Sequence, residues 1–240
     1  MRALTLARSV FRHVGLELSR WKNLPMHTLL GLRQVPFRSV VDGGANEGQF
    51  ARWMSQFFPL AHMYAFEPLP GPYAKLRDWA DTQAGRVTTF NLALGEIAND
   101  VVMNLDIDHT SSSSLLQATR LNDAIYPETR RRVSVAVRQE TLDDVLATLA
   151  TPLEREILVK LDVQGFEDRV IAGAQRTLNA ARACIIEVIL DELYCGQARF
   201  PGVVSSLHEL GFEYAGNLEQ NYAEDGHVVF LDAVFVRPQH

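Results

Sequence analysis

The stretch VVDGGANEGQF, residues 40–50, ends an apolar run at Asp42 in a turn with three glycines, then opens an amphipathic helix carrying Phe50, Trp53, Met54 and Phe57. It reads as strand, tight turn and helix. The next apolar run, AHMYAFEP at 61–68, closes on a second acid, Glu67, 25 residues after Asp42. RVTTFNLALG (86–95), EILVKLDVQG (156–165) and ACIIEVIL (183–190) are further short, β-rich runs ended by Gly, Pro or charge. Several are near-continuous in apolar residues, as strands covered on both faces must be. Helical patterns separate most of them; after Gly165, Phe166, Val170, Ala174 and Leu178 recur at four-residue steps. The alternation predicts a doubly wound, mostly parallel α/β sheet. Near the end, VVSSLHELGFEYAGNL (203–218) reads as helix and strand, and HVVFLDAVFVRP (227–238) as a strand returning antiparallel.

One connection exceeds the dozen or so residues that a parallel crossover needs. Residues 95–156 hold DVVMNLDI, HTSSSSLL, RRVSVAVRQE and TLDDVLATL, read as strand, loop, strand and helix. The excursion leaves the carboxyl end of a parallel strand, the edge where ligands bind in this architecture, so it is expected to form a lid or substrate wall.

A chain of 240 residues with 47% hydrophobic content can bury one sizeable core. The reading is a basic helical segment at 1–37 followed by one domain at 38–240. Residues 1–38 carry six Arg and one Lys against one Glu, a net of +6, which leaves −12 for the rest of a chain whose total is −6. The acidic body argues against nucleic-acid binding. Leu4, Ala7, Phe11, Val14 and Leu18 give the amino-terminal helix an apolar stripe opposite its arginines, which either packs on the domain or rests on an anionic membrane surface. The start has neither a compact apolar core nor a cleavage site of the secretory kind, so the expected location is cytoplasmic, with peripheral membrane contact through that helix as the variant. Two cysteines, Cys184 and Cys195, fit neither a disulfide framework nor a thiolate metal site.

The turn at 42–48 spaces Asp42, Gly44 and Gly48 as D-x-G-x-x-x-G. The dinucleotide fingerprint G-x-G-x-x-G is absent, and Asp42 would place negative charge beside a pyrophosphate. An acid in that turn suits a nucleotide-like ligand with a cationic centre, and S-adenosylmethionine has one, together with a ribose diol for Glu67. A plain strand-to-helix turn, and a helix cap by Glu67, are the simpler readings.

In EILVKLDVQG, Lys160 and Asp162 are two apart and so share one face at a strand's carboxyl end. They form either a structural ion pair or a catalytic pair in which Asp162 accepts or orients a substrate hydroxyl proton while Lys160 holds Asp162 or a substrate oxygen. Glu187, inside an apolar strand, needs a partner for the same reason and either faces the cleft or belongs to a network beneath it. His109 is the alternative base. Ser111 to Ser114 either contact substrate hydroxyls or form a flexible link. Asp162 and Glu187 could also hold a divalent cation, although none of the seven histidines shows metal-ligand spacing.

VVDGGANEGQF, YAFEPLPGPYAKL, NLALGE, SSSSL, ETLDDVL, VKLDVQGFEDRVIAGA and IIEV, in that order over roughly residues 38–235, together resemble the FkbM-type S-adenosylmethionine-dependent methyltransferases. The resemblance implies a class I methyltransferase fold, Rossmann-like, with seven strands in the order 3-2-1-4-5-7-6 and an antiparallel seventh. It further implies O-methylation, often of sugar hydroxyls in polysaccharides, glycolipids or antibiotics, and hence a small-molecule or glycan acceptor. Carried over by position, Asp42, Gly44, Asn46 and Gly48 would contact the methionine part, Glu67 the ribose, and Asn91, Ala93 and Leu94 would lie near the adenine. Many relatives have Glu where this chain has Gln164, which removes Gln164 from the candidate acids and shifts weight to Asp162. A non-catalytic binding or scaffold protein of the same fold is the alternative, and a nicotinamide-dependent oxidoreductase would require the missing glycine fingerprint.

Overall fold

In this computed structural model residues 24–238 are described. The first elements in chain order are α1 (Pro25–Thr28), β1 (Ser39–Gly43), α2 (Gln49–Phe57), β2 (His62–Phe66), α3 (Pro70–Asp81), β3 (Val87–Phe90), β4 (Ala93–Leu94) and β5 (Asn99–Asp106). They are followed by α4 (Arg120–Ile125), β6 (Arg132–Glu140), α5 (Leu142–Ala147), β7 (Ile157–Leu161), α6 (Glu167–Ala172), α7 (Gln175–Ala180), β8 (Ala181–Ile189), α8 (Phe200–Glu209), β9 (Glu213–Tyr222) and β10 (Val228–Val236). β1 is buried at all five residues, as a central strand with both faces covered has to be. It pairs in parallel with β2 on one side and β7 on the other. The main sheet has seven strands in the order β3-β2-β1-β7-β8-β10-β9, and β10 runs antiparallel to both neighbours. Ranked along the chain these strands read 3-2-1-4-5-7-6, so the class I methyltransferase topology is present.

The period of two along each strand sorts the side chains into two layers. Val41, Val159, Leu161, Cys184 and Ile186 pack under Val170, Leu178, Val203 and Leu207 on one face. Val40, Leu158, Ala183, Ile185 and Val234 meet Met54, Phe58, Leu29 and Leu32 on the other. Asp42, Lys160, Glu187 and Asp232 each stand two residues from a member of that second layer, and Asp162 two residues beyond Lys160, so the sheet collects its charges on one face near the strand tips.

RVTTFNLALG is not one strand. It divides after Phe90, where the Asn91 amide donates to the carbonyls of Glu67 (2.9 Å) and Pro68 (3.0 Å) and turns the chain, and β4 joins a second sheet of order β4-β6-β5. β5 and β6 of that sheet, the serine loop, α4 and α5 make up the 95–156 excursion. The helix expected after Gly165 is likewise divided into α6 and α7, at Gly173, where any Cβ would fall 2.0 Å from the Gly95 carbonyl oxygen. α4 has no counterpart in the sequence reading. The amphipathic helix expected around Leu4–Leu18 lies outside the described residues. No described helix is long and apolar enough to cross a membrane.

Candidate active site

The turn after β1 is shaped by its neighbour. Gly44 has φ +80°, and a Cβ there would lie 1.8 Å from the carbonyl oxygen of Asp162, so only glycine lets the β1 and β7 tips close on each other. The Gly44 and Ala45 N–H groups donate to the Phe66 carbonyl at 3.1 and 2.9 Å, locking the turn to the end of β2. Glu67 completes the lock: Oε2 accepts from Asn46 N at 2.9 Å and Oε1 from Leu69 N at 2.8 Å. Burial pushes its carboxyl up to about 7, against the pull of those two backbone donors. Asp42 is fully buried, and neither carboxylate oxygen has a hydrogen-bond partner among the described residues. Burial raises it to about 6, and the Lys160 ammonium opposes the rise.

At the tip of β7, Lys160 Nζ donates to Asp162 Oδ2 at 2.8 Å and sits 5.2 Å from the centre of the Phe50 ring. Burial disfavours the ammonium, yet Asp162, Asp42 and Asp232 outweigh it and hold Lys160 charged. Gln164, in the left-handed region at φ 55°, points its amide nitrogen at two acids: 2.9 Å to Asp162 Oδ1 and 2.6 Å to Glu187 Oε2. The Tyr194 hydroxyl shares its proton between Gln164 Oε1 (2.9 Å) and the Ser112 carbonyl (2.7 Å). Burial would raise Asp162, but Lys160 and the Gln164 amide bring it below the usual carboxylate range. Glu187 goes the other way, driven well up by burial and by the Asp162 charge.

These tips border a cleft of about 430 Å³. Of the residues singled out from sequence, Gly44, Asn46, Glu67, Ala93, Leu94, Lys160 and Asp162 line it. Asp42 and Gly48 are not among the lining residues, and Gly48 starts α2 at φ +87°. Asn91 serves the bend after β3 instead of the cleft wall. Glu187 belongs to the network beneath, through Gln164. His109 is exposed and bonded to its own loop, Nδ1 lying 2.7 Å from Ser112 Oγ, outside the lining. The serine run is fastened: Ser114 Oγ donates to the Gln164 carbonyl at 2.7 Å, and Thr110 Oγ1 to Asn46 Oδ1 at 3.0 Å. Thr110, Ser111, Ser113 and Met103 thereby give the excursion one wall of the cleft. Among the described residues no group of three or more His, Cys, Asp or Glu is arranged to hold a metal ion.

Sequence reasoning passed over Asp232 and Glu219, both cleft-lining. Asp232 carried the signal that singled out Glu187, an acid inside an apolar strand. Glu219 carried none, because β9 is largely exposed and its charges look solvated.

Residues 42–214 match the family model described as Methyltransferase FkbM domain. The 2-O-methyltransferase NoeI of Sinorhizobium fredii is 27% identical over 184 residues, covering 75% of this chain and 74% of that protein. Methyltransferase sdnD of Sordaria araneosa is 30% identical over 169 residues, covering 61% of this chain and 63% of that one. The crystal structure of methyltransferase FkbM from Methylobacillus flagellatus superposes with a TM-score of 0.55 at 14% identity over 91% of this chain, a likeness of fold. The chain spans about half of that structure's length, 48%.

Proposed function

The chain belongs to the FkbM methyltransferase family, and from that premise we propose that it transfers a methyl group from S-adenosylmethionine to a hydroxyl oxygen of a sugar, on a glycan, a glycolipid or a glycosylated metabolite. The observation that carries this reading is that a single cleft is bounded by the Gly44–Asn46 turn and Glu67 on one wall and by Lys160 and Asp162 on the other.

The residues fit the cofactor. Asp42, with two buried oxygens lacking hydrogen bonds, gives the turn a negative field that attracts a cation and repels phosphate. Each Glu67 oxygen takes one backbone donor and keeps a lone pair for a ribose hydroxyl. Leu92, Ala93 and Leu94 offer an apolar shelf suited to a purine. Bound there, S-adenosylmethionine supplies a methyl group already activated on a sulfonium.

The protein's remaining task is to align the acceptor oxygen, exclude water and receive a proton. Asp162, held ionised by Lys160 and Gln164, accepts a hydrogen bond from the acceptor hydroxyl and fixes its direction. Phe50 and Trp53 supply aromatic surface for the apolar face of a sugar ring, and Thr110 and Ser111 supply hydroxyls for its edge. The relative named a 2-O-methyltransferase supports oxygen as the target atom.

Calorimetric titration with S-adenosylmethionine and S-adenosylhomocysteine, with NAD as control, tests the cofactor half, and transfer of labelled methyl to a panel of methyl glycosides tests the acceptor half. Binding of the first two ligands without NAD, followed by labelling of a glycoside, is expected. Folded protein that binds neither sulfur ligand overturns the proposal.

A further inference from the structure

Three carboxyl groups stand in one row across the strand tips. Asp232 on β10 is in register with Glu187 on β8, and Asp162 follows the β7 residues Lys160 and Leu161, which pair with Ile185 and Ile186. Adjacent strands are about 4.8 Å apart, so the row spans two strand spacings on a single face. The three are not equivalent. Asp162 is engaged by Lys160 and by Gln164. Glu187 is buried, bonded to Gln164 and absent from the cleft wall. Asp232, partly buried, lines the cleft and makes no hydrogen bond or ion pair with any other described residue. Its oxygens are the acceptors in the row that the protein itself leaves free.

We propose that Asp232 is the group that takes the proton from the acceptor hydroxyl, while Asp162 holds that hydroxyl in line. The proposal rests on the methyl-transfer reading of the cleft. As the hydroxyl oxygen forms its bond to the methyl carbon of the sulfonium donor, the carbon–sulfur bond breaks and its electron pair returns to sulfur, leaving a neutral thioether. The hydroxyl proton passes to the Asp232 carboxylate, which releases it to solvent once the product leaves. The charged and titratable groups facing Asp232 are Lys160 and Asp162 on β7, Glu187 on β8 and Glu219 on β9. Burial, with Asp162, raises Asp232 to about 6 against the pull of Lys160, so it is ionised at neutral pH and more basic than Asp162. General bases work best in that range.

The test follows kcat and KM against pH on a glycoside labelled by the wild-type enzyme, with S-adenosylhomocysteine affinity measured in parallel. Wild type should lose kcat/KM as pH falls through about 6. Asp232→Asn should lower kcat at least about 100-fold, the usual worth of a positioned base, erase that acidic limb and bind S-adenosylhomocysteine within a few-fold of wild type. Asp162→Asn should mainly raise KM and keep the limb. Asp232→Ala should regain turnover when formate is added, which a purely structural loss would not allow. Turnover of Asp232→Asn within threefold of wild type, an unshifted limb, or no formate rescue overturns the assignment alone. Wild-type protein that labels no glycoside overturns the reading beneath it, and this assignment with it.

Discussion

The α-carbon of Gly44 faces the carbonyl oxygen of Asp162 so closely that an added methyl would sit 1.8 Å from it. The tightness of this turn is therefore set by the chain itself, and the cleft floor is a contact between two strand tips. Gly44→Ala meets both that overlap and a φ of +80°. Overpacking costs roughly 1–3 kcal/mol and a left-handed alanine roughly 1–2 kcal/mol. A loss of ~3 kcal/mol in urea unfolding is expected, with S-adenosylhomocysteine binding lost in whatever remains folded; a loss under 1 kcal/mol would show that the tips can separate freely.

Gln164 is a neutral donor between two acids. Gln164→Met keeps the length of the side chain and removes the amide, leaving Asp162 and Glu187 each one hydrogen bond short. A buried acceptor without its donor costs about 1–3 kcal/mol. The expected outcome is a stability loss of ~2 kcal/mol and a raised acceptor KM, because Asp162 is no longer steered from both sides. Unaltered stability and kinetics would mean that the network does not position Asp162.

Which features were legible from sequence has a physical pattern. β1, the Glu67 strand end and the Lys160–Asp162 face were readable because a period of two in an otherwise apolar run leaves few places for a charge. β4 was not, since two residues carry no period and its partner Gln139 lies over 40 residues away. Spacing shows that an acid ends β1 at Asp42, but not that its carboxylate is fully buried without a hydrogen-bond partner among the described residues. Asp232 was missed because its strand was weighed for direction and not for the acid it carries. The serine run looked loose, yet its anchors, Asn46, Gln164 and Tyr194, are remote in sequence.

Glu67 ties two loops while keeping a face to the cleft. Glu67→Ala removes both ties and the proposed ribose contact together. Charge-assisted hydrogen bonds are worth about 1.5–3 kcal/mol, so calorimetry should find S-adenosylhomocysteine affinity down by roughly 10- to 150-fold in protein that still melts cooperatively. Affinity unchanged by this substitution would remove Glu67 from the cofactor site.

Stability should fall as the solution becomes more alkaline, the reverse of acid denaturation. Burial raises Asp42 to about 6, Glu67 to about 7 and Glu167 to about 8, while the same groups in the unfolded chain titrate near 4. Between those limits the folded state binds more protons than the unfolded one, so the stability held below pH ~4 is lost as pH rises through about 6 to 8. Asp162, lowered, titrates below this window and cannot offset the loss. Glu167 isolates the effect, because its Oε1 accepts from both Val163 N and Gly165 N, at 3.0 and 3.2 Å. An amide oxygen can take both bonds, so Glu167→Gln should flatten the decline between pH 5.5 and 8.5 and be more stable than wild type at the alkaline end. Urea unfolding across that range decides the matter: a variant less stable than wild type at pH 8.5 would show that the ionised carboxylate is needed at the turn.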